Sequence, residues 1–405
     1  MAKSKFSSQR IGAFRSRHFD NQFMRTLSFS VYGGSTVGEC YYVASQIRQG
    51  SFEDWVREWR AMAERVEHAA RESLENGNLV NAREAFLRAS EYYRAAEFHV
   101  FFGDDPRRYE IWRKSQAAFV EFGKLSQYSV EPLEIPFEDQ QLPGYFIKPD
   151  DRDVQRPTLI VFGGGDSSGE ESYFYIGKAA VDRGYNVLQI EGPGQRGTVH
   201  MNPGSVFRPD YEVPVKAIID YVLKRPEVDP GRLAIYGLSY GGYIVLRGAI
   251  FDKRVKACVA NPGWLDMYTF FRKGLPAFTH NMSMVNAARV LQLLSKIWKL
   301  GEYATQQFRM IYGVDTALEI FETMKKYDNR GLEHEITCPL LLLVGEGEGD
   351  ELMYQQQMLL SKVQSPIKEL KVFKEVEGAD AHCITNNLMY HNQVIFDWLD
   401  DVFSR

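Results

Sequence analysis

The stretch Leu233-Ala234-Ile235-Tyr236-Gly237-Leu238-Ser239-Tyr240-Gly241-Gly242 decides how this chain is read. A short apolar run leads into Gly-x-Ser-x-Gly, and a helix-forming run, Tyr243 to Ile250, follows. Strand, Gly-x-Ser-x-Gly and helix together make a nucleophile elbow, a turn that pushes a serine hydroxyl out at the C-terminal end of a strand. The glycines have a steric job. A side chain two residues before or after the serine would collide with the neighbouring strand or helix, and the serine itself sits in strained backbone. The pattern alone arises by chance about one time in seven in a chain of this length. The rest of the sequence must carry the argument.

Outward from the elbow, strands alternate with helices. Val130–Phe137 and Tyr145–Lys148 read as strands around a Gln-Leu-Pro-Gly turn. Thr158–Phe162 and Asn186–Ile190 are apolar runs of strand length, followed later by Val255–Val259, Leu340–Val344 and Leu370–Phe373. Helical runs fall between them, near Tyr173–Arg183 and Val213–Lys224, with a last helix at about 388–403. The pattern predicts an α/β fold, a mostly parallel sheet covered by helices on both faces. Residues 262–335 interrupt the alternation with Trp264, Tyr268, Phe270, Phe271, Phe278, Met282 and Met284, and read as a cap inserted between two late strands.

Residues 1–127 read differently. Ser51-Phe52-Glu53-Asp54 is a helix N-cap with an acidic residue three positions on. Trp55, Trp59, Met62, Val66 and Ala69 follow at helical spacing. Asn76-Gly77-Asn78 stops that helix, a second runs from about Leu79 to Phe101, and a third follows Asp105-Pro106. The expected division is a helical N-terminal domain over 1–127, with 1–20 a flexible arm, and a core over 128–405. The aromatic faces of the helical part suggest a homodimer.

Composition narrows the function classes. The 405 residues are 44% hydrophobic and 25% charged, with a net charge of −5, so nothing points to nucleic acid. No run of about 18 apolar residues predicts a membrane span. Cys40, Cys258, Cys338 and Cys383 are widely spaced with no C-x-x-C pair, so no metal site is expected, and the basic N-terminus lacks a signal-peptide core. The expectation is a cytoplasmic protein with reduced thiols.

A serine hydroxyl needs a base, and the base needs an orienting acid. Four histidines follow Ser239: His280, His334, His382 and His391. Only His382, in Gly378-Ala379-Asp380-Ala381-His382, lies on a loop after the last strand and before the terminal helix, which makes it the base. His391 falls inside that helix and reads as structural. The acid should follow strand 340–344, in Gly345-Glu346-Gly347-Glu348-Gly349-Asp350-Glu351. Asp350, directly before the next helix, is favoured; Glu348 is the alternative. Two amides should hold a tetrahedral oxyanion, that of Tyr240 and one from the Gly163-Gly164-Gly165 turn, with Gly164 and Gly165 both open. That glycine turn also suggests a dinucleotide site, but Ser168 stands where the third glycine belongs, so no nucleotide cofactor is expected.

Several pieces together are more specific than the elbow. They are the Leu-Arg-Ala-Ser-Glu-Tyr-Tyr-Arg helix (87–94), the turn from Gly163 to Glu171, Glu191-Gly192-Pro193-Gly194-Gln195, and the late Asp-Ala-His. On these the chain, over roughly residues 50–405, resembles the α/β hydrolases that include 2,6-dihydroxypseudooxynicotine hydrolase and the fungal hydrolases that shorten heptaketide naphthopyrones. The resemblance implies a Ser-His-Asp hydrolase, free of metal and cofactor, that cleaves a carbon–carbon bond next to a ketone. It implies a role for Asp166 at the substrate, where the nicotine-pathway enzyme has a glutamate. Trp264 and Tyr268 in the aromatic cap are expected to contact an aromatic or polyketide-derived small molecule. An esterase, a peptidase-like enzyme, or an acyltransferase or cyclase with the same triad is the alternative, and a non-catalytic scaffold is a third class.

Overall fold

The computed structural model describes residues 10–100, 105–152, 154–295 and 299–404. Two helices, α1 (Arg17–Ser28) and α2 (Val37–Gln46), precede the long helices α3 (Phe52–Glu75), α4 (Leu79–Glu97) and α5 (Pro106–Lys124). The caps act as the sequence suggests. Ser51 accepts from the Asp54 amide at the start of α3, and Asp105 caps α5 with Pro106 at its first position. The second helix ends at Glu97, and Phe101 lies outside the described residues.

The flexible-arm expectation for 1–20 needs correction. Residues 1–9 lie outside the described residues, but Arg10–Asp20 is folded against the protein. Phe14, Phe19 and Phe23 are buried, and the Asp20 carboxylate accepts the amides of Gly12 and Phe14. Phe19, Phe23 and Thr26 form a buried stripe at helical spacing, short enough to pass for weak periodicity.

The chain then enters the sheet through β1 (Ser129–Phe137) and β2 (Gln140–Lys148). Their hairpin turns at Glu138-Asp139, with Glu138 at φ 52°, and not at Gln-Leu-Pro-Gly. Those four residues are inside β2. Pro143 tolerates this because its carbonyl serves the ladder, accepting the Glu191 amide, while no N–H is required of it. Then follow β3 (Arg156–Phe162), a π-helical turn at 173–177 running into α6 (Lys178–Asp182), β4 (Asn186–Ile190), α7 (Arg196–Met201), α8 (Glu212–Val222), β5 (Val228–Leu238), α9 (Gly241–Phe251) and β6 (Ala257–Asn261). The insertion contains, among the described residues, the α-helices α10 (Met267–Gly274), α11 (Met284–Ser295), α12 (Lys299–Tyr312) and α13 (Ala317–Met324). The chain closes with β7 (Leu340–Gly345), α14 (Asp350–Lys362), β8 (Lys368–Phe373) and α15 (Leu388–Ser404).

Among the described residues eight strands form one sheet, in the order β1-β2-β4-β3-β5-β6-β7-β8. β1, β2 and β4 pair antiparallel, and the rest of the sheet is parallel. Both faces are covered, so the central strands are apolar on both sides. Leu159 and Val161 of β3 join a core with α15 and the N-terminal helices. Ile160 and Phe162, one residue out of phase, join a second core with α8, α9, α14 and the insertion. The N-terminal helices thus share one continuous core with a sheet face. No described helix is long and apolar enough to cross a membrane.

Candidate active site

The elbow is built by close backbone approach. A side chain on Gly237 would run into the Gly241 carbonyl, one on Gly241 into that of Phe162, and one on Gly242 into that of Pro262. Ser239 takes φ 55°, a left-handed conformation that a non-glycine residue adopts at a cost. Its amide donates to the Asn261 carbonyl at 2.6 Å, and its carbonyl accepts the Trp264 indole at 2.8 Å. The strained turn is therefore held from β6 and from the insertion.

His382 Nε2 lies 2.9 Å from Ser239 Oγ, and His382 Nδ1 lies 2.8 Å from Glu348 Oε1. The structure brings Ser239, His382 and Glu348 into one hydrogen-bonded chain. Glu348 sits in a short turn after β7, with its side chain 1% exposed, and also accepts the Cys383 amide at 2.9 Å. Asp350, the carboxylate favoured from sequence, is not at the histidine. It is the first residue of α14, exposed to solvent, where a negative charge suits the helix N-terminus. The turn explains the switch: Gly349 at φ 95° reverses the chain and sends Asp350 away from the histidine that Glu348 faces.

Burial works against the imidazolium of His382, while Cys383 and the Glu348 carboxylate favour it and prevail, raising its pKa well above 6.5. His391 is different. Its Nε2 meets Tyr236 Oη (3.1 Å) and Asn261 Nδ2 (3.0 Å), its Nδ1 meets Asn392 Oδ1, and burial lowers its pKa to about 4. It is a neutral structural histidine, as its place in the helix suggested. Glu348, His382 and Cys383 offer ligand atoms within 4.8 Å of one another, but Oε1 and Nδ1 are engaged with each other and Cys383 Sγ leans on the Asn261 carbonyl. That donor set fits proton transfer better than a metal cradle.

The glycine turn after β3 lies beside the serine. A Cβ on Gly164 would stand 3.0 Å from that of Ser239. The Gly164 amide is occupied by Ser167 Oγ at 2.9 Å, whereas the amides of Gly165 and Tyr240 have no hydrogen-bond partner among the described residues. Of the two open choices, Gly165 is the one left free to act. Gln195 staples this turn: its Nε2 donates to the Gly163 carbonyl at 2.8 Å, and its Oε1 accepts the Gly192 amide. The Gly-Pro-Gly-Gln piece thus has a physical role behind the candidate oxyanion site.

Ser239 opens into a cavity of about 550 Å³. One wall is apolar and comes from the insertion: Trp264, Met267, Phe270, Phe271 and Phe308. Helix α1 adds a mostly polar lining: Arg17, His18, Asn21, Gln22 and Arg25, with Met24 among them. Asp166 also lines the cavity, and its carboxylate pairs with Arg25 at 3.3 Å. Arg25 is anchored in turn by the fully buried Glu171, with Nη2 2.6 Å from Oε2. Tyr268 does not reach the cavity. It stands on the outer side of α10, under the Lys325 ammonium at 5.3 Å. The α1 residues were missed from sequence, where only the short Phe19/Phe23/Thr26 stripe marks the helix.

The model of the family described as "Esterase FrsA-like" matches residues 38–273, more than half of the chain. Hydrolase acrC of Aspergillus aculeatus is 32% identical over 426 aligned residues, covering 96% of this chain and 98% of the relative. The 20-hydroxy-prefusarin hydrolase FUS2 of Gibberella moniliformis is 31% identical over 420, covering 96% and 98%. The solved structure of 2,6-dihydroxy-pseudo-oxynicotine hydrolase shares the fold, with a TM-score of 0.73 at 20% identity over 93% of this chain and 95% of that one. The sheet order, the elbow and these full-length relatives agree: the chain is an α/β hydrolase belonging to the FrsA-like esterase family.

Proposed function

We propose that this hydrolase uses Ser239 as nucleophile, His382 as general base and acid, and Glu348 as the carboxylate that orients the imidazole. The observation that carries the reading is the continuous Glu348–His382–Ser239 chain, at 2.8 and 2.9 Å, ending on a serine in left-handed backbone. Ser239 Oγ attacks a carbonyl carbon while His382 Nε2 takes the hydroxyl proton. The amides of Tyr240 and Gly165 receive the oxyanion. Collapse breaks the bond to the leaving group, which takes the proton from His382. Water then attacks the acyl-enzyme with the same histidine as base and regenerates Ser239.

The preferred bond is carbon–carbon, next to a ketone, in an aromatic or polyketide-like small molecule. Such a leaving group departs as an enolate or a ketonised phenol, so it must be stabilised as it leaves. The apolar wall suits a flat ring system, and Asp166, paired with Arg25, is placed to accept a phenolic hydroxyl. The names of FUS2 and of the pseudo-oxynicotine enzyme, both hydrolases of oxygenated small molecules, support the same direction. Ester hydrolysis by the same triad is the second reading, favoured by the family description. Product analysis on an aryl β-diketone and on an aryl ester separates them. Carboxylic acid plus methyl ketone from the diketone, lost in Ser239→Ala, is the expected result; turnover of the ester alone removes the carbon–carbon reading.

A further inference from the structure

The lining from α1 contains a feature that the triad chemistry does not use. His18, on the first turn of α1, lines the cavity, and its Nε2 lies 2.8 Å from Nε2 of His99, just beyond α4. His99 is fully buried in an aromatic shell. The ring centroids of Trp55, Phe19, Phe52 and Phe98 lie 4.7, 4.9, 5.0 and 5.1 Å from its own.

Two imidazole nitrogens at 2.8 Å hold one hydrogen between them: one atom donates and the other accepts. A second proton would place a charge in the aromatic shell, next to Arg94. Burial lowers the pKa of His18 to about 4, against the pull of Asp166, and burial also lowers that of His99 well below 6.5, helped by His18 and Arg94. The pair is neutral at ordinary pH. Each ring then carries a single hydrogen, and the contact ties the two tautomers together. If His99 donates from Nε2, His18 must carry its hydrogen on Nδ1. That nitrogen has no partner among the described residues, and His18 is only partly buried. His99 Nδ1 is buried with no partner among the described residues, so a hydrogen there would be an orphaned donor; this selects the arrangement in which His99 donates from Nε2.

We propose that His18 is a specificity-determining residue, a neutral N–H donor fixed by His99 that binds a carbonyl oxygen on the substrate ring system. The proposal rests on the reading of this cavity as the active site. A neutral donor has a chemical advantage over the nearby Arg17 and Arg25. It recognises a ketone oxygen without attracting carboxylates, and it does not vary with pH over the range where His382 changes charge.

Two measurements test this on the full chain. Nitrogen-15 spectra of histidine-labelled protein should show His18 protonated at Nδ1 and His99 at Nε2, both neutral between about pH 5 and 8. A hydrogen on Nε2 of His18, or a titration of either ring in that window, overturns the proposal. The second measurement is calorimetric binding to the Ser239→Ala protein, using 2-acetyl-1-naphthol and 2-ethyl-1-naphthol, which lacks the ketone. The ketone should bind about tenfold tighter, the value of one neutral hydrogen bond. His18→Phe should erase that preference, while His18→Asn, whose amide nitrogen replaces Nδ1, should keep it. Equal binding of the two naphthols, or a preference that survives His18→Phe, overturns the proposal. Because binding is read without turnover, its failure is distinct from that of the triad, which would appear as activity surviving Ser239→Ala.

Discussion

The elbow after β5 that carries Ser239 and the loop after β7 that carries Glu348 both follow the C-terminal ends of parallel strands of one sheet, and they are built in opposite ways. The elbow is a local device. Gly237, Gly241 and Gly242 clear the space for its own backbone and the strands beside it, and Ser239 has little freedom once that turn is made. The acid loop is held from a distance. A side chain on Gly345 would meet the carbonyls of Asp380 and Ala381, the Gly347 amide donates to Asp380, and Glu346 accepts the Glu375 amide. Glu348 therefore reaches His382 because the base loop, some 30 residues on, is docked against it. Ser239 is positioned by short-range sterics, whereas Glu348 is positioned by tertiary contact.

The largest effect comes from breaking the elbow at its tip. Ser239→Ala should lower kcat by about 10⁴-fold or more with the fold intact, measured as loss of turnover and of fluorophosphonate labelling. Retained labelling elsewhere in the cavity would move the nucleophile.

Breaking the acid loop should cost less and should leave a signature in pH. Glu348→Gln keeps the shape but removes the charge, and a loss of about 10²- to 10⁴-fold in kcat is expected. In the proposed mechanism His382 must be neutral to accept the serine proton. Its raised pKa puts the acid limb of the kcat/KM profile above pH 6.5, with activity rising as pH rises through that pKa. Removing the carboxylate takes away one of the two groups that favour the imidazolium, Cys383 remaining, so the limb should shift to lower pH. A limb that stays in place in Glu348→Gln would show that another group sets it.

The support behind the elbow should affect stability more than rate. His391 links Tyr236 of β5 to Asn261, whose carbonyl receives the Ser239 amide. His391→Phe leaves those polar groups partly unpaired and should cost about 1–3 kcal/mol in chemical denaturation. The pH dependence has a definite sign. The folded pKa of about 4 lies below the unfolded value near 6.5, so the unfolded chain binds the proton first. Stability contributed by the neutral ring is present above pH 6.5 and falls as pH drops towards 4, by about 3 kcal/mol in all. In His391→Phe that component of the acid loss should vanish.

The same contrast explains what could be read from the sequence. The elbow, the alternating strands and the lone loop histidine His382 are set by local pattern and chain order, and all appear in the structure where they were expected. Asp350 and Glu348, the favoured and the alternative acid, are equivalent in pattern, two carboxylates two residues apart. Only the φ 95° turn at Gly349 and the contact with the 380–383 loop separate them. Tyr268 was misread because an aromatic stripe does not say which side of α10 faces the cavity. The helix α1 is hard to read because its buried stripe spans barely two turns, and its polar residues are explained only by a cavity that residues of the insertion also line. The hairpin at Glu138-Asp139 was misplaced because Pro and Gly dominated the reading, although a strand at the antiparallel side of the sheet accommodates both.

Asp350→Asn should have the smallest effect, and it is the sharpest test of how the acid loop works. Asp350 is only two residues from Glu348, so a loop that presented its carboxylates interchangeably would let each replace the other. The structure separates them sharply: Glu348 is buried against His382 and the Cys383 amide, whereas Asp350 is exposed at the first turn of α14. Losing its charge removes a favourable interaction with the helix dipole, worth about 0.3–1 kcal/mol, and nothing from the proton relay. Turnover within about twofold of the parent and an unmoved acid limb are expected, since exposed substitutions away from a site seldom do more. In Glu348→Gln, Asp350 should likewise fail to rescue, because reaching His382 would require Gly349 to leave its left-handed conformation and α14 to unwind its first turn. If the double variant Glu348→Gln/Asp350→Asn proves clearly slower than Glu348→Gln alone, the loop does rearrange, and tertiary docking constrains it less than the elbow's own glycines constrain Ser239.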